Sequence, residues 1–201
     1  MARPPSIQTE TRDWVSLDVS SLKLTDDQLI RLFHDNEEYQ FELSASRELI
    51  IMTPAHNKTE LLNLKFASRL FNWAERDGTG VVFGNNTLFT LPNGAKRGPD
   101  ASWVSKARWD SLSEEEKNSF SNLVPEFVVE LRSRSDRLKT LKPKMDEYMT
   151  NGVQLAWLLD PIANSATIYR ANEPPIEIAS PSIISGDPVL PGFKFDFREL
   201  L

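Results

Sequence analysis

Two acids occupy positions where patterning gives an acid no ordinary reason to be. Glu130 interrupts Pro125-Glu-Phe-Val-Val-Glu-Leu131, an almost wholly apolar run of the kind a central strand buried on both faces requires. A buried charge is costly unless it is paired or coordinates a metal, so Glu130 needs a partner, either a cation such as Arg132 in a plain ion pair or a divalent ion. Asp100 opens another strand-like segment, Pro99-Asp-Ala-Ser-Trp-Val104, thirty residues earlier. With no cysteine and two histidines, His34 and His56, the chain excludes a thiol nucleophile and zinc sites built on Cys or paired His. Any metal must then be held by oxygen, which points to Mg²⁺, Mn²⁺ or Ca²⁺.

Charge is unevenly distributed. The net charge of -6 argues against a general nucleic-acid coat protein, whose phosphate contacts require a basic surplus. Between Arg132 and Lys144, however, six cations (Arg132, Arg134, Arg137, Lys139, Lys142, Lys144) stand against Asp136 alone, so this segment is +5 and the rest is -11. Such a stripe is either a solvated helix face or a track for phosphates.

The elements that must position these residues follow from capping and periodicity. Residues 1–24 lack periodicity and are expected to form an N-terminal arm, with a single domain over 25–201. Thr25-Asp-Asp-Gln28 has the form of a capping box opening a short helix to His34, and residues 39–43 and 48–53 read as a hairpin turning at 44–47. Asn57 and Glu60 form another capping signature. Leu62, Phe66, Leu70 and Trp73 then recur at helical spacing up to a Gly78-Thr-Gly80 stop. Strand-like runs cover 81–84 and 87–91, closed by a Pro92-Asn-Gly94 turn. Residues 105–120 are polar, with a Ser113 cap opening a short surface helix. A second long helix is expected from about Ser135, with Leu138, Leu141, Met145 and Met149 on its apolar face, ending at Asn151-Gly152. Pro143 inside it would remove a hydrogen bond at a cost of about 3 kcal/mol unless the helix begins or kinks there. Residues 154–159 form the next buried strand, 166–170 another, and short strands separated by Pro and Gly fill the tail. The order predicts a mixed α/β (α+β) sheet, and the absence of a Gly-rich phosphate loop disfavours nucleotide-dependent chemistry.

Pro99-Asp100 followed by Glu130-Leu131-Arg132 resembles the bipartite signature of PD-(D/E)XK nucleases, with Arg where Lys is usual. Phe41-Glu-Leu, Arg47-Glu-Leu-Ile-Ile-Met-Thr-Pro54, Phe127-Val-Val-Glu-Leu-Arg-Ser133, Lys144-Met-Asp-Glu-Tyr148, Asn151-Gly-Val-Gln-Leu-Ala-Trp-Leu159 and Leu190-Pro-Gly-Phe193 fall in the order of the Uma-two family, over roughly residues 25–200. That family comprises restriction-endonuclease-like proteins abundant in cyanobacteria. The resemblance implies a restriction-endonuclease-like core, a central mixed β-sheet flanked by helices. It also implies Mg²⁺ or Mn²⁺ on Asp100 and Glu130, and a nearby cation stabilising charge on the scissile phosphate. Arg132 occupies the lysine position but is unsuited to exchanging a proton near neutrality, which makes Lys144 the candidate for a migrated lysine. Related sequences often carry an acid on the first long helix that completes the metal shell. Lys58 stands at that point here, Glu60 is the substitute and Glu42 a further candidate acid. Trp73, Trp103 and Trp157 read as core, and His34 and His56 as structural or exposed.

The expected function is a Mg²⁺-dependent endonuclease hydrolysing DNA phosphodiesters, a homodimer being suited to cutting both strands. The competing expectation is a catalytically inactive nuclease-fold protein binding nucleic acid or a protein partner. No apolar run has signal-peptide or membrane-spanning length, so the chain reads as soluble and cytoplasmic, with no membrane partner.

Overall fold

A computed structural model describes residues 14–53, 56–118 and 122–201. The described chain runs through β1 (Trp14–Asp18), a 3-10 turn, α1 (Asp26–His34), β2 (Gln40–Leu43), β3 (Glu48–Met52) and α2 (Asn57–Asp77). It continues through β4 (Gly80–Gly84), β5 (Phe89–Thr90), β6 (Lys96–Arg97), β7 (Ala101–Ser105), α3 (Lys106–Asp110), α4 (Glu114–Lys117), β8 (Phe127–Leu131) and α5 (Leu138–Thr150). Then come β9 (Leu155–Asp160), β10 (Ser165–Arg170), β11 (Ile176–Ala179), β12 (Ile183–Ser185), β13 (Lys194–Asp196) and a closing 3-10 turn.

The central sheet has the order β11-β10-β9-β8-β7-β4, and only β8 and β9 pair parallel, joined by the crossover through α5. A smaller sheet, β1-β3-β2-β6-β5, stands beside it. Period-2 alternation sorts the central strands into two cores. Phe127, Val129 and Leu131 pack with Leu155, Trp157 and Leu159 against Leu62, Phe66 and Leu70 of α2. Val128, Ala156 and Leu158 face Leu141, Met145 and Tyr148 of α5. The rings of Phe66 and Phe127 meet Trp157 edge-on at centroid distances of 6.0 and 5.1 Å. Deleting either ring would cost about 3–5 kcal/mol. All three expected core tryptophans are buried.

Local signals account for most boundaries. Thr25 and Gln28 close a reciprocal capping box on α1, and Ser113 and Glu116 close one on α4. Gly78 ends α2 at φ 71°, where a side chain would be strained, and its N–H closes on Ala74 O. Three features differ from expectation. The N-cap of α2 is His56 rather than Asn57, with no side-chain cap, so Glu60 has no capping role. Helix α5 starts at Leu138 and carries Pro143 internally. The described part of the expected arm is not a loose overlay: Trp14–Asp18 pairs antiparallel along all of β3, with residues 1–13 outside the described residues.

Candidate active site

The anomalous acids come together because of strand register. Ala101 pairs with Val129 across β7 and β8, so continuing the ladder by one position sets Asp100 opposite Glu130. Glu130 lies on the sheet face that meets α5, since Val128, two residues before it, packs there, while Asp100, just before β7, is reached by Asn63 of α2. Like charges directly opposite destabilise a sheet, so this pair needs compensation from elsewhere.

Helix α5 supplies part of it. Lys144 and Tyr148 are one turn apart and share a face. The Lys144 ammonium lies 2.8 Å from Glu130 Oε1, and the Tyr148 hydroxyl donates to the same oxygen at 3.1 Å. Lys144 also lies 2.8 Å from Glu42 Oε1, which reaches in from β2 of the smaller sheet. Glu42 accepts from Arg97 Nη1 and from the Gly98 N–H, both at 3.0 Å. Arg97 in turn donates through Nε to Glu147 of α5 at 2.6 Å. Asp100 is oriented from two sides: the Leu131 N–H donates to Oδ2 at 2.7 Å, and Asn63 Nδ2 of α2 donates to Oδ1 at 3.0 Å. All of these but the fully buried Tyr148 line a cleft of about 1170 Å³, to which the smaller sheet adds Trp14, Ile50 and Met52.

Four carboxylates (Glu42, Asp100, Glu130, Glu147) thus share two cations (Arg97, Lys144), and the shortfall falls on one side. Burial pushes Asp100 up to about 6, against the opposing pull of the Leu131 N–H and Lys144. Burial also raises Glu130, and the charges of Asp100 and Glu42 add to it despite Lys144. Glu42 is equally enclosed, yet Lys144 and Arg97 outweigh its burial and hold it below the usual carboxylate range. Burial would lower Lys144, but Glu130 and Glu42 overcome this and keep it a firm cation.

The remaining sequence candidates lie elsewhere. Arg132 is not brought to the centre: β8 ends at Leu131, and the Arg132 guanidinium turns to Asp160 at 2.7 Å. Asp160 is fixed by the Ile162 and Ala163 N–H groups, so this is a corner lock of the β9–β10 turn. Glu60 does not complete the centre either; it is exposed and accepts from Asn85 at 3.4 Å. The basic stripe is broken, since Lys144 turns inward and Lys142, though exposed, pairs with Glu177 at 3.6 Å; Arg134 and Lys139 are exposed as well. Asn63, Arg97, Glu147 and Tyr148 were not singled out from sequence. Tyr148 was open to detection, being four residues after Lys144 on one helix face.

Among the described residues no set of three acids or histidines converges as a metal cage, so side-chain acids offer the Asp100–Glu130 pair. That pair fits a hard divalent cation on chemistry and charge. Both donors are oxygens, and both are carboxylates whose ionised forms lack sufficient positive charge nearby.

A mixed sheet with helices on both faces, carrying the buried Glu130 and the partly buried Asp100 and Lys144 at one end, has the architecture of a nuclease-like fold. The chain belongs to the Uma2 family, described as "Putative restriction endonuclease", whose model matches residues 26–198. A crystal structure described as a "putative nuclease belonging to DUF820", from Anabaena variabilis, shares the fold at a TM-score of 0.71. It is 18% identical, with 88% of this chain and 97% of that one covered. No curated protein matches the sequence. Among the described residues no helix is long and apolar enough to cross a membrane.

Proposed function

We propose that the protein is a divalent-metal-dependent endonuclease acting on DNA, with Asp100 and Glu130 as ligands to Mg²⁺ or Mn²⁺ and Lys144 as the cation that stabilises charge on the phosphate. The observation that carries this reading is the Lys144 ammonium 2.8 Å from Glu130, with Asp100 held by the N–H of the next residue, Leu131. When bound, the metal would act as a Lewis acid toward a phosphoryl oxygen and lower the pKa of a water ligand. The Leu131 N–H holds Asp100, and Tyr148 holds Glu130, so both carboxylates are oriented before substrate arrives. Lys144 is kept protonated by two carboxylates, which suits it to offset the growing negative charge on the phosphate rather than to accept a proton. In the net reaction a water oxygen bonds to phosphorus, one P–O ester bond breaks, and the departing oxygen takes up a proton.

The test is cleavage of supercoiled and single-stranded DNA by purified protein in Mg²⁺ or Mn²⁺, beside Asp100→Ala, Glu130→Ala and Lys144→Met. Cutting by wild type that is lost in all three variants supports the reading. No cutting by wild type across both substrates and both metals would overturn it in favour of a nuclease-fold protein that binds without cleaving.

A further inference from the structure

Asn63 is the polar group at this centre whose own hydrogen bonding is incomplete. It sits on the buried face of α2 between Leu62 and Phe66 and is 6% exposed. Its Nδ2 donates to Asp100 Oδ1, while its Oδ1, also buried, has no hydrogen-bond partner among the described residues. Leaving a buried carbonyl oxygen unsatisfied is unfavourable, and orienting Asp100 uses only the amide nitrogen. The residue lines the same cleft as Asp100 and Glu130. Glu60, one turn nearer the helix start, is exposed and contributes no oxygen there.

We propose that Asn63 supplies a neutral oxygen to the shell of the divalent cation held by Asp100 and Glu130, an inference that rests on the metal reading above. Amide carbonyl oxygens are ordinary ligands for hard cations. A neutral third donor also suits the charge of the centre: two carboxylates balance a divalent ion, whereas a third would restore the surplus already borne by Asp100 and Glu130. Asn63 on this reading both aims Asp100 and closes the metal's coordination from the α2 side.

The experiment is Mn²⁺ binding, by calorimetry and electron paramagnetic resonance, to the full chain and to Asn63→Leu, Asn63→Asp and Asp100→Ala. Replacing the donor by Leu weakens Mn²⁺ binding roughly tenfold or more, and replacing it by a carboxylate strengthens binding by a similar factor. If Asn63 merely orients Asp100, Asn63→Asp sets a second acid against Asp100 and weakens binding like Asn63→Leu, which overturns the proposal, as do unchanged affinities in both variants. Wild-type protein carrying ¹³C at the asparagine carboxamide gives a readout independent of variant folding: a ¹³C coupling of ligand magnitude to bound Mn²⁺ is expected, and its absence contradicts the assignment. Binding that is lost in Asp100→Ala but indifferent to residue 63 overturns this inference alone. Wild type that takes up no Mn²⁺ removes both it and the metal reading.

Discussion

Lys144 stands between two buried carboxylates at equal distance, 2.8 Å from each, yet their surroundings differ. On the smaller-sheet side, Glu42 has Arg97 and a backbone N–H in addition to Lys144, and Arg97 is steadied in turn by Glu147. On the central-sheet side, Glu130 has Tyr148 and faces Asp100, another acid. Burial is alike for both, so the partners decide the outcome: Glu42 stays ionised and Glu130 resists ionisation. The first side is a finished ion-pair network that holds the lysine. The second is short of positive charge, and on the proposed function a divalent cation would complete it. Two carboxylates whose environments drive their pKa values apart divide structural from chemical work.

The comparison is broken most severely on the Glu42 side. Arg97→Leu would strand Glu42 and Glu147, so unfolding in urea should show a loss of about 3–5 kcal/mol. Glu42→Gln should also destabilise, by about 2–4 kcal/mol, because Arg97 and Lys144 lose their shared anion. The same substitution across the lysine has the opposite sign. Glu130→Gln removes an acid whose charge is poorly compensated, and metal-free protein near neutral pH should gain on the order of 1–3 kcal/mol while losing any metal-dependent cleavage. If Glu42→Gln and Glu130→Gln moved stability in the same direction, the contrast would not hold. Smaller effects lie outside the centre. Arg132→Leu leaves Asp160 with its two backbone donors and should cost about 1–2 kcal/mol without changing cleavage. Glu60→Gln, at an exposed position, should alter neither stability nor cleavage.

Much of this was readable from sequence, for identifiable reasons. Glu130 stood out because one acid in an apolar strand is an energetic anomaly wherever the strand lies, and Asp100 because it opens a strand after Pro99. Lys144 followed from family resemblance, and the helix that carries it from periodicity. Arg132 stands at the position of the signature's lysine, yet β8 ends at Leu131 and the Arg132 side chain turns to Asp160. Glu60 was offered by its nearness to Lys58, the position the family resemblance points to, but it is exposed, and Asn63, one turn on, is the residue that reaches Asp100. Arg97 and Glu147 bond across 50 residues, a pairing that no local pattern encodes. Strand β1 escaped notice because it is five residues long and its alternating Val15 and Leu17 turn to solvent rather than into a core.

The central claim, that Asp100 and Glu130 form a charge-deficient pair awaiting a cation, is tested most directly by thermal unfolding against pH with and without Mg²⁺. Asp100 binds its proton more tightly folded, near 6, than at its ordinary value of 3.8. Its contribution is therefore full below about pH 4 and lost as pH rises through about 6, and Glu130 shifts in the same direction. Glu42, shifted downward, runs the other way and loses its contribution only in acid. Metal-free wild type should accordingly become less stable between about pH 5 and pH 8, Mg²⁺ should restore stability increasingly toward the alkaline end, and Asp100→Asn with Glu130→Gln should abolish both trends. A wild-type profile flat over that range and unmoved by Mg²⁺ would contradict the account.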